Sequence, residues 1–214
     1  MLNNEKKLII YGAGGHGKVV ADVAMKAGFS LFGFVDDAPA LHGSSILELP
    51  VLGDRHWLCQ TAPGTYAVTI AIGDNNIRLS TTQLFNARNI DIATIISPSA
   101  VIAFSARIGR GTVIMPGVIV NADALVGEGT ILNTGAIVEH DVRIGDYAHV
   151  SPNATLGGGV KIGDLAHIGI GATVLPLVQV GSRSILGAGS VATKDIPDDV
   201  IAFGSPARVR RSIR

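Results

Sequence analysis

Val138-Glu139-His140-Asp141 places an imidazole between two carboxylates. An imidazole takes up a proton near neutral pH, and a neighbouring carboxylate can orient it and favour its charged form. Eighteen residues further on stand Gly157-Gly158-Gly159, where no side chain obstructs the backbone N–H groups. Such N–H groups suit a developing oxyanion, while a solvated turn histidine under a glycine-rich corner is the competing explanation. His149 and His167 are also eighteen apart. Two imidazoles with no evident third ligand are insufficient for a metal, so no metal site is assigned. The pair is read instead as lining a groove, donating to a ligand or to a neighbouring subunit. Asn133 can hydrogen-bond a substrate, although asparagine is equally a common turn residue.

A second chemistry sits near the start of the chain. Gly12-Ala13-Gly14-Gly15-His16-Gly17-Lys18 follows the apolar run Leu8 to Tyr11 and precedes an amphipathic stretch from Val19 to Ala27. Gly12, Gly14 and Gly17 match the dinucleotide pattern, and Asp36-Asp37 closes the next strand near the spacing of a ribose-binding acid. The same turn matches a phosphate-binding G-x-x-x-x-G-K, but Val19 stands where that motif needs Ser or Thr for magnesium. Common to both patterns is a phosphate held on N–H groups at a helix N-terminus. A purely structural need for tight strand–helix packing is the competing explanation of these glycines.

The elements that must position these groups have two different periods. From Ile96 to Leu186 every sixth residue is Ile, Val or Leu, without a miss. The place four after each is mostly small or β-branched, as in Ala106, Thr112, Val118, Ala124 and Thr130. So strict a period describes a solenoid, whereas a β-sandwich would alternate with period two between irregular turns. With three hexads to a coil, residues eighteen apart lie over one another, and five coils form a column on the order of 24 Å tall. The period is expected to fail at Ala192, and the tail through Ile201-Ala202-Phe203-Gly204-Ser205-Pro206-Ala207-Arg208 is expected to cap the open end.

Before Ser97-Pro98 the pattern is strand, glycine turn, helix, strand. Strands are expected over Lys7–Tyr11, Leu31–Val35 and Tyr66–Ile72, with a further strand or turn near Val51 and a helix from about Ile77 to Ala87. The expected fold class is therefore an α/β Rossmann-like domain with a parallel sheet (1–96), then a parallel β-helix (97–191) and a cap (192–214). About 95 residues make only one small α/β unit, which weighs against a nicotinamide enzyme with a full dinucleotide domain.

Composition narrows the class. Lys+Arg and Asp+Glu both total 17 in 214 residues, so nothing attracts nucleic acid or a membrane surface in general. The low aromatic content of 5% and the 27 glycines suit short strands with tight corners. A single cysteine, Cys59, excludes an internal disulfide and a cysteine metal cluster. No apolar run reaches about 18 residues, and the opening MLNNEKKLIIYG is too short and too quickly broken for a signal peptide. The expected location is the cytoplasm.

Taken together, YGAGGHGKVV, FVDD, AIGDNNIR, NTGAIVEHDVRIGDYAHVSPNA and FGSPARVR resemble the bacterial family of hexapeptide-repeat sugar-nucleotide amino-sugar N-acetyltransferases and sialic-acid O-acetyltransferases. The resemblance runs from Leu8 to about Arg210. It implies a left-handed β-helix, a homotrimer, acetyl-CoA in the groove between adjacent β-helices, and no metal. It further implies His140 as general base, Asp141 or Glu139 as its partner, Gly158 toward the thioester carbonyl and His149 beside the coenzyme. His167 shares that groove, and Arg208 and Arg210 are assigned to the coenzyme phosphates on charge alone. Gly12, Gly14, His16, Gly17, Asp36 and Asp37 would hold the nucleotide of the sugar substrate. The implied activity is acetylation of the 4-amino group of a UDP-linked deoxysugar for bacterial glycan precursors (O-antigen, capsule or glycoprotein). A GDP-linked sugar, a sialic-acid hydroxyl, or a non-catalytic trimeric scaffold are the alternatives.

Overall fold

A computed structural model of the chain describes residues 7–60 and 64–213. Residues 1–6, which carry the argument about a signal peptide, lie outside the described residues. The chain divides into two compact units that meet between Pro98 and Ser99.

The first unit is built on four parallel strands in the order Leu31–Val35, Lys7–Tyr11, Tyr66–Ile70, Asp91–Ile92. Three consecutive apolar residues in Lys7–Tyr11 are wholly buried, as expected of a parallel strand covered on both faces. Its core gathers Ile9, Tyr11, Val35, Leu58, Val68, Ile70, Phe85 and Ile92. Strand order reverses between Lys7–Tyr11 and its two neighbours, which puts a crevice at the carboxyl ends of Lys7–Tyr11 and Tyr66–Ile70.

Three details differ from the sequence expectation. The first helix spans Gly15–Lys26 and begins four residues before Val19, because glycines in its opening turn hide the amphipathic pattern there. The helix expected from Ile77 spans Asn75–Ala87, since Asp74 caps it by accepting a hydrogen bond from Ile77 N–H at 2.9 Å. A six-residue helix, Arg55–Gln60, was without a periodic signal because it is too short to show one.

The second unit is a parallel β-helix with three faces of two-residue strands. The first face carries Val113–Ile114, Ile131–Leu132, His149–Val150, His167–Ile168 and Ile185–Leu186. The second runs from Val101–Ile102 through Ile119–Val120, Ile137–Val138, Thr155–Leu156 and Thr173–Val174 to Val191–Ala192. The third runs from Arg107–Ile108 to Gln179–Val180. Up to Val191–Ala192 each strand pairs with the one eighteen residues on, so the eighteen-residue ruler holds until the terminal coil, where Val180 bridges Ile196 and Ile185 pairs with Ile201, sixteen residues on. Rungs from Ile114 to Leu186 are buried, while Ile102 and Ile108 in the first coil are half-buried. The small positions point inward as well; Thr130 is buried there because its hydroxyl donates to Gly145 C=O at 3.1 Å.

The ladder does not fail at Ala192. Val191–Ala192 forms a strand on Thr173–Val174, and Ala192 is buried like the rungs before it. That coil requires an apolar side chain at the place, not a large one. Beyond it, Ile196 bridges Val180 on the third face, and the hairpin Val200–Gly204/Ala207–Ser212 extends the first face from Ile185–Leu186. Among the described residues, no helix is long and apolar enough to cross a membrane.

Candidate active site

His140 stands at the corner between the second and third faces. Its Nδ1 lies 2.8 Å from Asp141 Oδ2. A carboxylate only accepts, so Nδ1 carries the hydrogen in the neutral ring and Nε2 keeps a lone pair. Both side chains are about two-thirds exposed, open to a substrate. The hydrogen bond to Asp141 raises the His140 pKa, and the charges of Asp141 and Glu139 add to it. Of the two candidate orienting acids, Asp141 makes the contact, and Glu139 contributes only through space.

Gly158 lies one coil further along. A Cβ on Gly158 would stand 2.6 Å from His140 Nε2, so the ring occupies the space that any larger residue would need. The neighbouring N–H groups are committed: Gly157 donates to Val174 C=O and Gly159 to His140 C=O, both at 2.9 Å. Gly158 N–H takes part in neither bond. At the equivalent corner between the third and first faces, Asp146 and Asp164 each accept an N–H from the coil before, at 2.8 and 2.9 Å. Above Gly158 stands Pro176, which offers no carboxylate.

His149 and His167 are register partners on the first face, their rings stacked at 4.7 Å and 6°. Asn133 Nδ2 lies 3.2 Å from His149 Nε2, and Ser151 Oγ lies 2.8 Å from His167 Nε2. Together with Ile170 and Gly187 these four line a cavity of about 510 Å³. His140, Asp141 and Gly158 are not among its lining residues. Within one chain, therefore, the carboxylate-held imidazole and the histidine-lined cavity occupy different edges of the prism. Ser151 was not singled out from sequence, although its place two residues past His149 carries the signal. Arg208 is exposed on the terminal hairpin, where its Nη1 donates to Ala207 C=O at 2.8 Å. Arg210 lies over the Phe203 ring at 5.1 Å from its centroid. No group of three or more metal-ligating side chains occurs among the described residues.

In the first unit the glycine turn separates into two kinds of position. Gly12 has φ +108°, and a Cβ on Gly17 would collide with Gly12 C=O, so these two serve the close strand–helix approach. Gly14 and Gly15 face open space. The helix they begin has no side-chain cap and no acid in its first turn, leaving its N–H groups uncovered. His16 Nε2 is buried without a hydrogen-bond partner among the described residues. Burial, and secondarily the charge of Arg78, pushes its pKa down to about 4. Asp36 accepts from Ala13 N–H at 2.7 Å and Ala38 N–H at 2.9 Å, shaping the turn. Asp37 is more heavily committed: Tyr11 O–H and Arg55 Nε both donate to it at 2.6 Å. Burial alone would raise the Asp37 pKa, but the hydrogen bonds from Arg55 and Tyr11 hold it below the ordinary value. Asp37 is thus tied to Tyr11 and Arg55, while Asp36 accepts two backbone N–H groups and keeps further acceptor capacity.

Residues 7–85 match the family described as the PglD N-terminal domain, and residues 123–158 match the bacterial transferase hexapeptide, six repeats. Perosamine N-acetyltransferase from Caulobacter crescentus, solved with CoA and GDP-perosamine as a histidine-to-asparagine mutant, is 37% identical with a TM-score of 0.91. The match covers 97% of this chain and 98% of that one. The chain belongs to the hexapeptide-repeat acetyltransferase family. Within this acetyltransferase family, the acetyltransferase domain of PglB from Neisseria gonorrhoeae FA1090, in complex with acetyl coenzyme A, is 37% identical at TM-score 0.90, over 96% of this chain and 99% of that. WeeI from Acinetobacter baumannii AYE is 30% identical at TM-score 0.89, over 96% of this chain and 100% of that.

Proposed function

We propose that this acetyltransferase moves acetyl from acetyl-CoA to the 4-amino group of a nucleotide-linked deoxysugar, with UDP as the first reading of the carrier. A GDP carrier is the second reading, favoured by the complex of the perosamine relative with GDP-perosamine. The observation that carries the chemistry is His140, held through Nδ1 by Asp141 with Nε2 turned toward Gly158.

In this reading the amine nitrogen attacks the thioester carbonyl carbon and His140 Nε2 takes its proton. The carbonyl oxygen becomes an oxyanion beside Gly158 N–H, and collapse breaks the carbon–sulfur bond. The imidazolium then returns the proton to the departing thiolate. No covalent enzyme intermediate is needed, since Cys59 lies in the other unit.

The cavity with Asn133, His149 and His167 would hold the coenzyme, and Arg208 its phosphates. Because that cavity lies on a different edge from His140, the complete site combines edges of two copies, which supports a homotrimer. The outer face of the second sheet supports it too: Val101, Ile119, Ile137, Thr155, Thr173 and Val191 are uncharged and β-branched. The third face instead presents Arg107, Arg143 and Lys161. In the first unit, the uncovered N–H groups near Gly14, with Gly12 and Gly17 shaping the turn, would take phosphate, and the unpartnered His16 Nε2 would take a polar atom of the nucleotide sugar.

The test follows thiol release from acetyl-CoA with a panel of UDP- and GDP-linked 4-amino sugars. His140→Ala is expected to lower turnover by about 10²–10⁴-fold. Turnover within about tenfold of wild type would remove the assignment of the base.

A further inference from the structure

We infer that Pro176 is a positioning residue, which keeps the Gly158 N–H uncapped so that the thioester carbonyl oxygen can take it. The inference rests on the reading of Gly158 N–H as the oxyanion donor beside His140.

The corners of the β-helix set the argument. Two residues past a rung, the corner N–H faces the side chain that stands at the same place one coil on. Between the third and first faces acids fill that place. Glu128 N–H donates to Asp146 Oδ1 at 2.8 Å, and Asp146 N–H to Asp164 Oδ1 at 2.9 Å. In the terminal coil Ser182 N–H donates to Asp198 Oδ1 at 2.8 Å. Between the second and third faces Gly158 holds the same place after Leu156, and the residue one coil on is Pro176. The backbones correspond: a Cβ on Gly127 would meet Asp146 N at 2.7 Å, one on Gly145 Asp164 N at 2.7 Å, and one on Gly157 Pro176 N at 2.7 Å. Where the acids carry a carboxylate, Pro176 carries ring methylenes, with Cδ and Cγ at 2.8 and 3.0 Å from that Cβ position. Gly158 N–H consequently has no hydrogen-bond partner among the described residues.

The open donor is held in place and in apolar surroundings. Val160 N–H donates to Gly157 C=O at 3.2 Å, which fixes the peptide plane that carries Gly158 N–H. Leu177 lies over the next glycine, since a Cβ on Gly159 would stand 2.8 Å from its Cδ2. Each glycine of the triplet then makes room for one neighbour: Gly157 for Pro176, Gly158 for His140 and Gly159 for Leu177. Leu175 and Leu177 are exposed beside Pro176, so this corner presents apolar side chains where the acid-bearing corners present charge. A carbonyl oxygen on Gly158 N–H would occupy the place that Asp146 Oδ1 occupies on Glu128. An acceptor side chain in place of Pro176 would satisfy the donor before substrate arrives, and an acid would set a negative charge where the oxyanion must form.

The experiment introduces the missing acceptor. Pro176→Asp reproduces the acid-capped corner, Pro176→Asn supplies the same acceptor without charge, and Pro176→Ala removes the ring and supplies none. With acetyl-CoA and the nucleotide sugar that the wild type acetylates, kcat is expected to fall about 10²-fold in the Asp and Asn variants and to stay within about threefold in the Ala variant. CoA lacks the acetyl carbonyl, so its affinity by calorimetry should be alike in all four proteins. The acid limb of the pH profile should stay in place in Pro176→Asn. Asp and Asn variants with kcat within about threefold of wild type overturn the proposal. So does an Ala variant as slow as they are, which makes the ring itself the requirement. A weakened CoA affinity in Pro176→Asn, or an acid limb that moves, also overturns it, and assigns the loss to the coenzyme's bed or to His140. If Pro176→Asp melts early, Pro176→Asn decides by the same measures. The underlying reading fails separately. A wild type that acetylates a 4-amino nucleotide sugar, beside equally fast Asp and Asn variants, removes the role of Pro176 alone; a wild type that acetylates none removes both.

Discussion

A methyl group added to Gly158 would lie 2.6 Å from His140 Nε2. The absent side chain is therefore what allows the imidazole to stand beside the Gly158 N–H. The backbone at Gly158 is outside the left-handed region, so alanine is conformationally permitted there and its effect falls on the ring. Gly158→Ala is expected to displace the ring and lower kcat about 10²-fold. The unfolding midpoint should stay within about 3 °C, since an exposed histidine can swing into solvent. Steady-state kinetics beside thermal melts checks both; a large drop in midpoint would mark Gly158 as a folding position instead.

Asp141→Asn removes the interaction that raises the His140 pKa. His140 acts as a base only when neutral, so activity declines as pH falls through its pKa. Without the carboxylate that decline moves to lower pH. The plateau should also fall, by about 10- to 100-fold, because an amide can donate to Nδ1 and put the hydrogen on the wrong nitrogen. Glu139→Gln, which touches no atom of the ring in a hydrogen bond, should move the profile far less. The measurement is kcat/KM against pH for the three proteins.

His16 links the first unit to pH. Its folded pKa of about 4 lies below the ordinary 6.5, so between those values the unfolded chain binds a proton that the folded chain refuses. Stability from this source is fully present above about pH 6.5 and is lost as pH falls toward 4, by up to on the order of 3 kcal/mol. His16→Asn should flatten the stability profile across that window. Chemical denaturation at several pH values decides; an unchanged slope would remove His16 as the source.

The β-helix core has its own test. Leu156 is wholly buried on the second face, between Val138 and Val174. Leu156→Ala should cost about 2–5 kcal/mol, through lost burial and the cavity it leaves. Lys161, exposed on the third face, should change stability by no more than about 0.5 kcal/mol when replaced by Ala. Urea denaturation of both variants gives the comparison.

Several of these positions were legible before any coordinates. A hexad of apolar residues cannot bury itself except by stacking, so the period implied the β-helix and, through the eighteen-residue coil, placed Gly158 over His140 and His167 over His149. The same ruler reaches Pro176, one coil beyond Gly158. Its limit showed at Ala192, where alanine satisfies the rung without looking like one. In the first unit, Leu8–Tyr11 and the glycine turn announced the strand and the open helix start, because parallel strands and backbone-only cradles leave compositional marks.

What the chain's order left undecided was the partnering of side chains. Glu139 and Asp141 are equivalent neighbours of His140 in sequence, and only the corner geometry, with Asp141 at φ +60°, turns one carboxylate onto Nδ1. Asp36 and Asp37 looked like free acceptors. Tertiary structure spends Asp37 on Tyr11 and Arg55, residues 26 and 18 positions away. It also separates His140 from the cavity of His149 and His167, onto different edges of one prism. Periodicity fixes where backbones stack, because stacking repeats; hydrogen-bond partners and the edge a residue faces depend on contacts that do not repeat.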